Sequence, residues 1–220
     1  IFDEHDDRYA RTEEWLKVVN GVWSEQSFSF KGKYYSVDEN VLEPKPFRKP
    51  RPTIYAGGES EAAKRLITRE CDAYVTHGDP ADRVAPKVQD IQSRRAEQGL
   101  DPMTYGMAAY VIVRESEDDA QRELERITNV TPGSPGYGNY KDWIEHTRLE
   151  QTVSLEDYSV SNRGLRAGLV GTAEQVAEKI IALEEVGVGM LLLQFSPQLE
   201  EMERFAESVI PLVNHAGVSN

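Results

Sequence analysis

Four residues in a row, Gly57-Gly58-Glu59-Ser60, have the types and the setting for anion binding. A short apolar, β-prone run, Thr53 to Ala56, leads into them, and a helical run, Glu61 to Glu70, follows. Two glycines let backbone N–H groups approach a phosphate without a Cβ in the way. The start of a helix adds unpaired N–H groups and the positive end of its dipole, and a serine at the N-cap adds a hydroxyl. The same residues also serve as plain turn chemistry between a strand and a helix, so this stretch alone defines no ligand. Other chemistries fare worse. His5, His77, His146 and His215 are scattered without metal-ligand spacing. Cys71 stands before an apolar strand and reads as inert core. No Ser/His arrangement forms a triad motif, and no residue stands out as a catalytic acid or base.

The elements that must position the glycine turn follow one grammar, strand then turn then helix. Ahead of it, Arg8 to Trp23 has helical spacing through Trp15, Val18, Val19 and Val22. Phe28-Ser-Phe30 and Tyr34-Tyr-Ser-Val37 flank a glycine-bearing turn and predict a hairpin. Pro44, Pro46, Pro50 and Pro52 make Glu43 to Pro52 an extended connector. After the first βα unit comes a second strand, Ala73 to His77, and a helix to about Gln98. Asp79 is expected to cap that helix, with Pro80 at its first position. A third strand is expected over Thr104 to Val113, then a helix capped by Ser116 and running to about Thr128. Residues 129–171 break the rhythm. This stretch holds Arg163 and Arg166 and a possible short helix over Tyr140 to Leu149; a loop of this length is disordered or a lid. Thr172 to Gln175 is a capping box that opens a helix to Val186. Met190 to Phe195, continuously apolar, predicts a strand buried on both faces. A last helix spans about Leu199 to Val213. Four parallel-type strands alternating with helices predict an α/β fold.

With 220 residues the chain can build one sizeable core. A net charge of −13 and a pI near 4.8 exclude nucleic acid and anionic membrane as natural partners. One cysteine suits a reducing cytosol, which points to a cytoplasmic protein. The chain begins at Ile1 without Met, so its true start is expected upstream.

Several stretches resemble one family. His5-Asp-Asp-Arg-Tyr9 with Glu13-Glu-Trp-Leu16 and Val22-Trp23, the Phe28 hairpin, Leu42-Glu-Pro-Lys-Pro46, Ile54-Tyr-Ala-Gly-Gly58, Leu169-Val-Gly-Thr172 and Gln194-Phe-Ser-Pro-Gln-Leu-Glu-Glu-Met202 together are similar to bacterial-luciferase-like flavin monooxygenases. Ser154 to Arg166, with Gln194 to Met202, looks most like the dimethylsulfone branch, with the alkanesulfonate enzymes beside it. The resemblance implies a (β/α)8 TIM barrel of which this chain carries the C-terminal half, strands 5 to 8. Residues 1–52 are then the excursion after strand 4, 53–128 the βα units 5 to 7, 129–171 an insertion or lid, and 172–220 helix 7, strand 8 and helix 8. It also implies reduced FMN, supplied by a separate NAD(P)H-dependent flavin reductase. That flavin reacts with O2 to a C4a-peroxyflavin, and a C–S bond of a small sulfone is cleaved to a sulfinate and an aldehyde. The FMN phosphate is expected at Tyr9, Gly57, Gly58, Glu59 and Ser60, where Glu59 replaces a serine common in relatives and offers only its backbone N–H.

Substrate and lid residues implied by the resemblance are Tyr110, Arg163, Arg166 and Ser196. Alkanesulfonate enzymes place Arg-x-His where this chain has Ala108, Ala109 and Tyr110, so a fixed cation for a sulfonate is missing and a neutral sulfone fits better. They carry a tyrosine where Ser196 stands. Two alternatives stay open: an F420-dependent oxidoreductase of the same superfamily, and a truncated, non-catalytic barrel fragment. A half-barrel exposes its inner strands, so a homo-oligomer or a companion chain carrying the N-terminal half is expected.

Overall fold

In the computed structural model, which describes residues 5–129, 131, 133, 137–138 and 164–213, the first helix, α1, runs His5–Ser24. One of its acids builds the next element. Glu14 accepts the backbone N–H groups of Lys33, Tyr34 and Tyr35 at 2.8, 2.7 and 3.1 Å. It so satisfies the donors that the tight turn leaves over. The turn closes the hairpin of β1 (Phe28–Lys31) and β2 (Ser36–Asn40), which pair antiparallel. The proline-rich connector that follows contains neither helix nor strand.

Then the βα rhythm begins: β3 (Tyr55–Gly57), α2 (Glu61–Glu70), β4 (Ala73–His77) and α3 (Ala81–Glu97). β3 and β4 run parallel, with Ala56 opposite Tyr74. Asp72 pins their starts together. Its carboxylate accepts the Ile54 N–H at 2.8 Å and pairs with Arg51, and its own N–H donates to the Ile54 carbonyl at 3.0 Å. The proline connector therefore delivers β3 in register through one acid.

After this come β5 (Thr104–Tyr110), β6 (Ile112–Val113), α4 (Glu117–Thr128), β7 (Val170–Gly171), α5 (Ala173–Glu185), β8 (Val188–Gln194) and α6 (Gln198–Ser208). The chain divides into two compact bodies. One is Ile1–Thr76 with Asp90–Thr104, the other His77–Gln89 with Tyr105–Asn220. In the second, β5 and β8 run parallel, as do β6 and β7. The architecture is α/β with parallel strand pairing, and the described residues form no closed barrel.

Four expectations need correction. The strand expected over Thr104 to Val113 is broken at Val111. Its N–H donates to the Gln194 carbonyl, and Ile112 then turns to the unforeseen β7. β8 is not buried on both faces. Leu191 and Leu193 are half-buried while Leu192 is 50% exposed, because one side packs on α5 and the other meets solvent. Asp79 does not cap α3. The Pro80 carbonyl accepts the Val84 N–H at 3.0 Å, and the Asp79 carboxylate goes to Lys87 instead. The last helix ends at Ser208, ahead of a 3₁₀ turn, Ile210–Leu212, because Pro211 has no N–H to continue it. The short helix expected over 140–149, Arg163 and the tail from Asn214 lie outside the described residues.

Candidate functional site

The glycine turn is built from four directions within the first body. Gly57 ends β3 so close to β4 that a Cβ there would stand 2.7 Å from the Val75 carbonyl oxygen. Gly58 takes φ +145, and a Cβ on it would stand 2.8 Å from the Ala63 Cβ and 3.1 Å from the Tyr9 hydroxyl. Only glycine fits both positions. Ser60 is the N-cap of α2, its hydroxyl oxygen accepting the Ala63 N–H at 3.2 Å. That bond uses a lone pair and leaves the hydroxyl proton to donate. Glu59 is exposed and Tyr9, on α1, is half-buried. The predicted residues Tyr9, Gly57, Gly58, Glu59 and Ser60 therefore come together, as a bare backbone turn at a helix start with an aromatic hydroxyl beside it.

Charge around this turn is already compensated. Glu61, in the first turn of α2, meets Arg94 at 2.9 Å and Lys64 at 3.5 Å, and Lys64 also meets Asp90 at 2.9 Å. The Arg94 guanidinium holds the Glu61 carboxyl below its ordinary range. The two cations beside the first turn of α2, Arg94 and Lys64, are thus already paired with acids.

Sequence reasoning missed Tyr74. It is 2% exposed, and its hydroxyl donates to the Gly58 carbonyl at 2.8 Å. A separation of sixteen residues hid the link, and the only signal was a tyrosine in a strand otherwise read as apolar core.

The other predicted residues lie in the second body. Tyr110 is buried with Ile112, Ala120, Leu165 and Val170, against Leu124 and Ile127 of α4. Its ring thus belongs to the strand–helix layer. Ser196 is exposed, two residues beyond the end of β8. Arg166 sits in a 3₁₀ turn, Leu165–Ala167, bracketed by Gly164 and Gly168 at φ 72 and 71. Its Nε lies 3.4 Å from Asp79 Oδ1, and Lys87 holds the other oxygen at 2.7 Å. Gly78 packs under this turn; a Cβ there would stand 3.0 Å from the Gly164 carbonyl. The structure so ties the Leu165–Ala167 turn to the loop after β4. Arg163 lies outside the described residues. A separate cleft of about 370 Å³ on α4 exposes Arg114, Arg122, Arg126 and Arg204. Acids hold them: Glu201 and Glu123 face Arg114, Asp119 faces Arg122, and Glu123 faces Arg126. Among the described residues no cluster of His, Cys, Asp and Glu can hold a metal, and no helix is long and apolar enough to cross a membrane.

Comparison with known proteins agrees with this architecture. Residues 2–189 match the family model of luciferase-like monooxygenases. The chain is 35% identical over 227 residues to a Pseudomonas putida protein named FMNH(2)-dependent dimethylsulfone monooxygenase, covering 96% of this chain and 60% of that one. The Pseudomonas fluorescens (strain Pf0-1) protein of the same name is 35% identical, at 96% and 59%. The crystal structure of long-chain alkane monooxygenase LadA superposes with a TM-score of 0.74 at 21% identity, covering 96% of this chain and 57% of that one, which shows a shared fold. The chain belongs to the luciferase-like monooxygenase family. It spans about 60% of the length of the curated relatives it matches.

Proposed function

We propose that this chain carries the FMN phosphate site of an FMNH2-dependent monooxygenase that cleaves the C–S bond of a small neutral sulfone. The observation that carries the proposal is the Gly58 turn, pinched between Ala63 and the Tyr9 hydroxyl, which leaves only backbone at the start of α2. A phosphate fits such a place. It accepts N–H groups of the first helical turn and the Ser60 hydroxyl, and the dipole end favours its charge. The Tyr9 hydroxyl supplies a further donor. Glu59 is exposed, and its part in the site is the backbone N–H.

When bound, reduced FMN activates O2. The balanced conversion takes sulfone, O2 and FMNH2 to sulfinate, aldehyde, FMN and water, with the C–S bond broken and one oxygen atom passing to carbon. The chain's own task is to hold the cofactor in place and dry. The resemblance to the dimethylsulfone enzymes supports a neutral substrate. So does the composition of β5, where Ala108 and Ala109 supply no cation for a sulfonate. We assign the substrate side to Arg163, Arg166 and Ser196, with Tyr110 as packing support.

We also propose that β3, β4, β5 and β8 are strands 5 to 8 of a (β/α)8 barrel, with 1–52 as the excursion after strand 4 and 129–171 as an insertion over the site. The partial coverage of the relatives and the exposed Leu192 support this. The remaining strands come from sequence upstream, a companion chain or an oligomer. A flavin reductase and O2 are the functional partners, and the single, buried cysteine suits the cytoplasm.

The test is an anaerobic titration with reduced FMN, with F420 in parallel, followed by turnover with O2 and a flavin reductase on dimethylsulfone and on methanesulfonate. Saturable FMN binding with sulfinate and formaldehyde from the sulfone is expected. F420 binding in place of FMN would make the protein a hydride-transfer enzyme. Turnover of the sulfonate alone would overturn the neutral-substrate reading.

A further inference from the structure

We propose that Tyr74 is a positioning residue for the flavin phosphate: it holds the Gly58 carbonyl on the core side of the turn, so that the side open to the phosphate presents donors. The inference rests on the FMN reading and concerns a residue that touches no ligand.

The argument begins with the softness of the turn. Gly58 has no Cβ, so the torsion that orients its carbonyl is weakly restrained. Left to itself, the Gly58–Glu59 peptide turns over at small cost. One orientation points its oxygen at an incoming phosphate and the other points it away. An oxygen facing a phosphate repels it and occupies the place of a donor. The cis peptides of the described chain all precede proline, so the Gly58–Glu59 peptide is trans, with oxygen and N–H on opposite edges.

Tyr74 decides between the two orientations. Its ring is buried at 2% exposure in β4, the parallel partner of β3, and cannot swing away. Its hydroxyl donates to the Gly58 oxygen at 2.8 Å. The carbonyl is therefore drawn toward the core, and the opposite edge of the peptide faces outward. Ala56 lies opposite Tyr74 in the β3–β4 register, two residues before Gly58, which fixes how far the hydroxyl reaches. Beside Gly58 stands the Tyr9 hydroxyl, 3.1 Å from where a Cβ would be. One tyrosine so holds the acceptor back while the other stands beside the bare Cα. Without the Tyr74 hydroxyl, the Gly58 carbonyl would lose its core partner, and a buried acceptor left unpaired turns toward water. Water would reach it from the open side, where the phosphate would bind.

The experiment is Tyr74→Phe in the full chain, which removes one oxygen and keeps the ring. Dissociation constants for reduced FMN and for reduced riboflavin, which lacks the phosphate, are measured anaerobically by quenching of tryptophan fluorescence, and folding is checked by thermal melting. FMN affinity should fall about three- to tenfold, the worth of one neutral hydrogen bond, with riboflavin affinity unchanged. The ratio of the two affinities stays readable if the variant melts earlier. An equal loss for both flavins, or no loss for FMN, overturns the inference and leaves the FMN reading standing. Failure of the wild-type protein to bind FMN at all overturns both, and is visible without the variant.

Discussion

The Tyr9 hydroxyl lies 3.1 Å from the point where a Cβ on Gly58 would stand. This closeness makes Gly58→Ala a sharp probe. Alanine would meet Tyr9 on one side and the Ala63 Cβ at 2.8 Å on the other, at a φ of +145 that L residues rarely adopt. Strain of this kind costs on the order of 1–3 kcal/mol. For a chain of this size, each kcal/mol shifts Tm by about 2–4 °C. G58A should therefore melt several degrees lower and lose FMN affinity more steeply than riboflavin affinity. A variant that melts and binds like the wild type would show that the turn has room to spare.

Asp72 gives stability a defined acid limit. Burial pushes its carboxyl up, but the Arg51 guanidinium and the Ile54 N–H outweigh burial and hold it below the ordinary aspartate value of 3.8. A carboxyl depressed in the folded state stabilises at pH values above its unfolded pKa. That contribution is lost as pH falls from about 4 through the lower folded value. The urea midpoint should hold from pH 7 to about 4.5 and then drop. Asp72→Asn keeps an acceptor for Ile54 but not the ion pair. It should lower the midpoint at pH 7 and flatten the acid drop, and a curve parallel to the wild type would remove Asp72 from the explanation.

Cys71 is 3% exposed, and burial with the charges of Asp72 and Glu70 pushes its thiol up to about 11. The thiolate is the reactive form. At pH 8 the native protein should react with iodoacetamide at least about a hundredfold more slowly than the urea-unfolded chain, from the shift in thiolate fraction alone. Mass spectrometry of the alkylated fraction over time reads this directly. Rapid native labelling would mean that the start of β4 opens often.

What the sequence made legible was local. α2 ran where Ser60 and the apolar spacing placed it, and Ser116 and Thr172 cap their helices through the residue three ahead. These signals travel within one helical turn, so the chain states them outright. What stayed hidden joins distant residues: Tyr74 to Gly58, Arg51 to Asp72, Glu14 to the hairpin turn, Asp79 to Arg166. Asp79 shows how a local rule loses. An acid before Pro80 reads as a cap, but Lys87 offered it a charge-assisted hydrogen bond and Arg166 an ion pair, and the helix began without it. β8 failed for another reason. An apolar run says that a strand can be buried on both faces, and whether it is depends on what lies against it.

Glu201 anchors α6 to the end of β6 and offers the clearest test of the second body. It is 7% exposed and accepts Arg114 Nη1 at 2.7 Å, while the same Arg114 nitrogen donates to the Val113 carbonyl at 2.7 Å. Glu123 stands 3.7 Å from Arg114, and Arg204 stands 3.8 Å from Glu201. Removing one member of a buried pair costs about 3–5 kcal/mol when the other is stranded. Here Glu123 can take up part of the Arg114 charge, so Glu201→Ala should cost less, about 1–3 kcal/mol. Glu201→Gln, which keeps an acceptor, should fall between Ala and the wild type. Replacing both Arg114 and Glu201 by Met should restore much of the loss, because no charge is then left buried alone. Denaturant midpoints for the four proteins test the order. If E201A unfolds with the wild type, α6 is held by Phe205 and its apolar neighbours, and the ion pair adds nothing to the fold.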